Sequence, residues 1–235
     1  MLKSRQEIKA YAKDAMKEQQ GAAIFLILVI MAVGIAVSIV NAIFGLIGLA
    51  ALTGLVSLAA SVVTMVLEVN LSHEFVKIYN RVEGSVNSLF ENLKVNFLRK
   101  LGGMWWMLLF VVLWSMLLWI PGIIKGISYS MTPYILANHP NVEAREALKL
   151  SMRMAHGHKM DIFIFMLSFL GWLLLSALTF GILFVVFVGP YFYTASAGLF
   201  VELRDKAIRE GVIAAEELGM DLSTGATQTP TGNFN

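Results

Sequence analysis

Long uncharged apolar blocks, separated by short charged stretches, set the pattern of this chain. No Asp, Glu, Lys or Arg occurs from Gly21 to Leu67 or from Ile162 to Val201, and Lys125 is the one charge between Leu101 and Ala137. A bilayer hydrocarbon core is about 30 Å thick and takes about 20 helical residues to cross. Each block is therefore long enough for two crossings. The blocks do not alternate polar and apolar residues as barrel strands would, and backbone groups in lipid need partners within their own segment. The pattern predicts an all-α, polytopic membrane bundle of six transmembrane helices in three hairpins. The spans are expected at 21–40, 43–67, 101–120, 121–137, 162–179 and 181–201, with turns at Asn41 to Gly45, Pro121-Gly122 and Thr179 to Gly181. The fourth segment is short and carries Ser128, Ser130 and Thr132.

Each hairpin is preceded by an amphipathic stretch that ends at a glycine: Ser4 to Gly21, Ser85 to Gly102 and Asn141 to Gly157. Ser4 and Glu7 have capping-box spacing. Counted back from the glycines, Ile8, Leu89 and Ala144 coincide, as do Ala12, Leu93 and Leu148, and Met16, Phe97 and Met152. These positions recur every four residues and share a helix face. The chain then reads as three copies of one unit, an interfacial helix on the cytoplasmic side followed by a hairpin. Glu68 to Val82 extends the second span, with Leu71, Phe75, Ile78, Tyr79 and Val82 on one face. Glu68, Asn70, His73 and Glu74 cluster there and read as a solvated helix face in preference to a gate. Residues 1–222 are expected to form one integral-membrane domain, and Ser223–Asn235, which has no charge and little to bury, a disordered tail.

Charge sets the orientation. Seventeen of the 18 Lys and Arg residues fall in the segments before, between and after the hairpins, leaving Lys125 alone. Basic residues are retained on the cytoplasmic side, so an even number of spans and cytoplasmic N- and C-termini are expected. The charged fraction of 14% is far below that of a water-borne domain, and the net charge of +2 lends nothing to nucleic-acid binding. Cysteine is absent, which removes disulfides, thiol nucleophiles and thiolate metal sites. The charged start of the chain and the length of the apolar block behind it do not fit a cleavable signal.

Candidate chemistry is sparse. Gly126-Ile127-Ser128-Tyr129 begins like a nucleophile elbow, but Ser130 stands where the closing glycine belongs. Phosphate-cradling loops are missing, and the span interiors lack carboxylates for an ion relay. His156 and His158 flank Gly157 without a third ligand in reach and read as residues at a helix end. No enzyme activity, cofactor or metal is therefore expected. Small residues, Ala50, Gly54, Ser57 and Ser61 in the second span and Gly122 with Gly126 in the fourth, offer close helix contacts within the chain or with a second copy.

The stretch Ile120, Pro121, Gly122, Ile123, Ile124 and Lys125 is followed by Tyr129, Ser130, Met131, Pro133 and Tyr134. Then come Ala147, Leu148, Ser151, Met152, Gly157, His158 and Lys159, and later Gly171, Trp172 and Leu173. From Trp114 to Tyr193 the chain resembles a bacterial integral-membrane family, domain of unknown function 975. It is more distantly similar to the membrane domain of some glycerophosphodiester phosphodiesterases. The resemblance implies a bacterial cytoplasmic membrane, six spans and no established activity, with the lysine after Pro-Gly-Ile-Ile as part of the family's pattern.

Two functions follow from these residues. In one, the chain binds or transports a lipid-like, anionic amphiphile. Lys125, with Ser128, Tyr129 and Thr132 on the following turns, is then the ligand site, since an ammonium with no carboxylate nearby suits an anionic headgroup. In the other, a non-transporting scaffold or stress sensor grips the inner leaflet, with Arg5, Lys9, Lys13 and Lys17 on lipid headgroups beside the apolar face Ile8, Ala12 and Met16.

Overall fold

Ser4 starts the first helix as its spacing to Glu7 requires. The Ser4 hydroxyl accepts from the Glu7 N–H at 3.2 Å and the Glu7 carboxylate accepts from the Ser4 N–H at 2.6 Å. The structure, a computed structural model, describes residues 4–220. The expected tail Ser223–Asn235 lies outside these residues.

From the capping box run α1 (Arg5–Glu18), α2 (Gln20–Leu46) and α3 (Ala50–Tyr79). The expected stop at Gly21 and turn at Asn41 are both absent. Gly21 and Asn41 lie inside α2, where the Asn41 amide donates to the Ser57 hydroxyl at 3.0 Å across the hairpin. The amide nitrogen of Asn41 is satisfied by a side chain of the facing helix while its Oδ1 is buried without a partner, and the residue does not end its own helix. The turn falls instead at Gly48, which takes φ +75°. α3 continues unbroken beyond the second expected span, and Leu71, Phe75, Ile78 and Tyr79 on that extension are buried.

The second amphipathic stretch is not one helix. α4 (Val86–Glu91) stops after six residues, Asn96 takes φ +52°, and α5 (Phe97–Leu117) begins there. Charges from neighbouring helices hold both ends of α4. The Glu74 carboxylate accepts from the Ser85 N–H at 2.8 Å and the Ser88 hydroxyl at 2.6 Å. At the other end the Lys100 ammonium donates to the Asn92 carbonyl at 2.9 Å and to Asn70 Oδ1 at 2.7 Å. Carboxylate at a helix start and cation at its end is the favourable sense of the helix dipole. Asn70 and Glu74 are thus fully buried braces, and the solvated-face reading of that cluster is wrong for both.

Leu118 is extended and makes the turn that the sequence places at Pro121-Gly122. The proline and glycine sit in the first turns of α6 (Trp119–Tyr129), where proline's missing N–H costs nothing. A Cβ on Gly122 would collide with Ser115 of α5, so the glycine closes this hairpin. α7 (Thr132–Asn138) follows after a break at Ser130-Met131. The fourth expected span is therefore two short helices. The Arg99 guanidinium caps α7, donating to the carbonyls of Leu136 (2.6 Å), Val142 (2.6 Å) and His139 (3.2 Å).

α8 (Ala144–Ala155) is the third amphipathic stretch. It starts behind Glu143 instead of Asn141 and ends before Gly157, which takes φ +81°. α9 (Lys159–Leu167) and α10 (Leu170–Leu178) lead to the expected turn at Thr179 to Gly181. A π-helical segment at Phe184–Val188 then feeds α11 (Gly189–Arg209).

Among the described residues, five segments are long and apolar enough to cross a membrane by length and composition: Gln20–Leu46, Ala51–Tyr79, Phe97–Leu117, Lys159–Leu178 and Phe184–Arg209. Burial is uneven along them. The core gathers at the charged end, where α11 packs against α1, α2, α3 and α8. Its largest fully buried side chains include Phe75, Phe165, Phe169 and Phe200. The three hairpins leave this packed head with apolar faces exposed, as lipid-facing helices do.

Candidate functional site

α5 presents Trp106, Phe110 and Trp114 at four-residue spacing, which puts three aromatic rings on one face. Trp106 and Phe110 stack with centroids 5.7 Å apart, and Phe110 lies 6.4 Å from the Tyr129 ring on α6. α8 closes the third side with Arg145, Leu148, Lys149 and Met152, which share its face at three- and four-residue steps. Together they line a cavity of 320 Å³, the low end of the range for small-molecule sites. Its floor is aromatic and aliphatic and its rim is cationic. The Arg145 guanidinium stands 4.5 Å from the centre of the Trp106 ring, a cation–π contact. Lys149 pairs with the exposed Glu146 at 3.2 Å on the outer side of α8.

Lys125 stands beside this groove. Its ammonium is 5.3 Å from the Trp114 ring centre, 5.7 Å from that of Tyr129 and 3.8 Å from the Met152 sulfur. Among the described residues no carboxylate pairs with it within 4 Å. The sequence places Lys125 near the outer surface, far from the basic segments; the structure places it against α8, which is one of them.

The four candidate residues divide in two. Lys125 and Tyr129 meet at the groove. Ser128 is buried: its hydroxyl donates to the Ile124 carbonyl at 2.7 Å, and its carbonyl accepts from the Ser151 hydroxyl at 2.8 Å. Ser151 in turn accepts from the Met131 N–H at 3.2 Å, so this pair ties α8 to the α6–α7 break. Thr132 is fully buried away from the groove. Sequence reasoning missed Trp106, Phe110, Arg145, Lys149 and Met152. The one signal available was the aromatic stripe at 106, 110 and 114.

The basic residues of α1 also differ from expectation. Ile8, Ala12 and Met16 are buried in the head against α3 and α11, so they are not free to enter a leaflet. The Lys9 ammonium bonds the Ser168 hydroxyl and lies 4.2 Å from the Phe169 ring centre. Burial, with a smaller contribution from nearby Arg5, lowers the pKa of Lys9 from its ordinary value. Lys13 lies 5.9 Å from the Phe187 ring centre, while Arg5, Lys13 and Lys17 are exposed. The His158 ring meets the Lys206 side-chain nitrogen at 2.7 Å and the Asp161 carboxylate at 3.4 Å.

Fold and groove together define an all-helical chain of membrane type, with several membrane-length helices and an aromatic, cation-rimmed cavity beside them. Residues 92–207, the segment that contains the groove and Lys125, match the family described as Protein of unknown function (DUF975). No curated protein and no solved structure matches the chain.

Proposed function

We propose that this chain binds a lipid-like, anionic amphiphile in the groove between α5, α6 and α8. It would do so at a bacterial cytoplasmic membrane, with both ends of the chain on the cytoplasmic side, as the one-sided distribution of basic residues requires. The observation that carries the reading is Arg145 stacked on Trp106 at the rim of an apolar floor. A ligand that satisfies both must carry a negative group and a hydrocarbon body. Arg145 and Lys149 suit a phosphate or carboxylate, and Trp106, Phe110, Leu148 and Met152 suit acyl carbon. Lys125 supplies a third positive charge beside the groove, held over two aromatic faces. Among the described residues that line the cavity there is no carboxylate or imidazole, and the proposal is of a binder. The alternative, a scaffold gripping the leaflet through α1, has less support, because the apolar face of α1 is already used against α3 and α11.

Native mass spectrometry of the purified chain tests the proposal. Arg145→Gln with Lys149→Gln should lower retention of an anionic phospholipid by at least about tenfold, since even one charge-assisted hydrogen bond contributes about 1.5–3 kcal/mol. A zwitterionic phospholipid should lose less, because its own ammonium offsets the phosphate charge. Lys125→Met should weaken the anionic lipid and Lys125→Arg retain part of the binding. Equal retention by wild type and the double variant would remove the site.

A further inference from the structure

The three hairpin tips are apolar but for Thr179, whose hydroxyl donates to the Ser176 carbonyl at 3.0 Å and accepts from the Leu183 N–H at 3.2 Å. The first turns at Leu46-Ile47-Gly48-Leu49, the second at Leu117-Leu118-Trp119-Ile120, and the third at Leu178-Thr179-Phe180-Gly181-Ile182. Leu46, Met116 and Phe180 are exposed to 87%, 83% and 98%. How far each tip projects beyond the charged head follows from the helical rise of about 1.5 Å per residue.

We infer that the three hairpins enter the bilayer to unequal depths: the first crosses the hydrocarbon, and the second and third stop near its midplane. In the first, the residue nearest the tip with a charge is Glu68, 20 positions from Gly48, which is about 30 Å and a whole hydrocarbon core. In the second, the head reaches much closer to the tip. Arg145 of α8 touches Trp106, 12 positions from Leu118, or about 18 Å. On the returning helix, Ser151 of α8 bonds the carbonyl of Ser128, 10 positions from Leu118, or about 15 Å. In the third, Lys9 of α1 lies on Phe169, 11 positions before Phe180, or about 16 Å, and Lys13 lies by Phe187, seven positions after it, or about 10 Å.

These are upper bounds, because any tilt shortens the reach. α8 carries Arg145, Glu146, Lys149 and Arg153, and α1 carries six charges beyond its capping box, counting Arg5. Helices so charged lie no deeper than the headgroups, since ionised side chains are expelled from hydrocarbon. A reach of about 10–18 Å from headgroup level ends near or short of the middle of a core about 30 Å thick. Phe97–Leu117 and Lys159–Leu178 do have the length to cross, but part of each is used inside the head. Arg99 caps α7, Lys100 is buried on Asn70, and Phe165 is buried. Apolar tips suit the second and third hairpins, which never leave the hydrocarbon, while the tip of the first, apolar as well, reaches its far edge. Both displace lipid in one leaflet only.

The absence of native cysteine makes the test direct. Ile47→Cys, Leu118→Cys and Phe180→Cys are placed singly in the full chain, reconstituted in vesicles, with exposed Glu146→Cys marking the head side. A membrane-impermeant maleimide should label Ile47→Cys from the face opposite Glu146→Cys. Leu118→Cys and Phe180→Cys should label from neither face until detergent is added, and nitroxides there should report the depth of the bilayer centre. Ile120→Cys and Ile182→Cys, on the same exposed tips, repeat the measurement should either variant fold poorly. Labelling of the second or third tip from the Ile47 face would overturn the inference, as would protection of Ile47→Cys.

Discussion

Gly198 of α11 lies so close to the Tyr79 ring that a Cβ there would sit inside it. Tyr79 is held on its other side by Tyr11, 4.9 Å away between ring centres. The ring has nowhere to move without displacing α1. Gly198→Ala should therefore destabilise the head by about 1–3 kcal/mol, the usual cost of overpacking, and thermal unfolding in detergent will check it. A loss no larger than that of Gly54→Ala, where a Cβ meets open space, would show that the contact is loose. The same glycines show what single residues reveal in a sequence. Gly54, Gly122 and Gly198 look alike as letters, and only the residue brought opposite decides which one matters. Lys125 was legible because it is an isolated charge in an apolar block. Its neighbours were not, since Arg145 and Met152 arrive from a helix some 20 positions further on, and no local pattern encodes that pairing.

At the scale of elements, α1 could be read from its capping box and α8 from periodicity, whereas α4 could not. The apolar periodicity of 85–102 continues through Asn92 and Asn96, but Glu74 and Lys100 fix α4 by its ends and let the chain turn. That is tertiary chemistry overriding a local pattern. His139 makes a similar join, between the residue after α7 and the C-terminal segment. Its Nδ1–H donates to the Leu218 carbonyl at 2.9 Å, and Nε2 is buried without a partner. Burial foremost, then the charges of Arg204 on α11 and Arg99 on α5, lowers its pKa to about 4, although the bond to Leu218 acts the other way. In the unfolded chain the value returns to about 6.5. Between those values the unfolded state binds more protons, so stability is fully present above about pH 6.5 and is lost as pH falls toward 4. The expected loss is about 2 kcal/mol between pH 7 and pH 5. Denaturant unfolding at the two pH values should show it, and His139→Gln should flatten that difference. An unchanged slope in the variant would assign the pH dependence to other groups.

Across the whole molecule, the class was the most legible feature and the topology the least. Charge-free blocks of membrane length say helix and lipid without further help. How deep each hairpin goes depends on which turns are used in the packed head, and hydropathy does not record that. The sequence reading of three like units gives way to one head built around α11, with a long hairpin and two short ones. The groove lies where the second hairpin meets the head, and this boundary position fits a ligand with one charged and one apolar end. The most direct measurement is photocrosslinking of the full chain in vesicles with an anionic phospholipid bearing a photoreactive acyl chain. The groove predicts crosslinks concentrated on Trp106, Phe110 and Met152, lost in Arg145→Gln with Lys149→Gln and much weaker with a zwitterionic lipid of the same chain. Crosslinks spread evenly over the exposed faces of α2, α5 and α10, alike for both lipids, would contradict it.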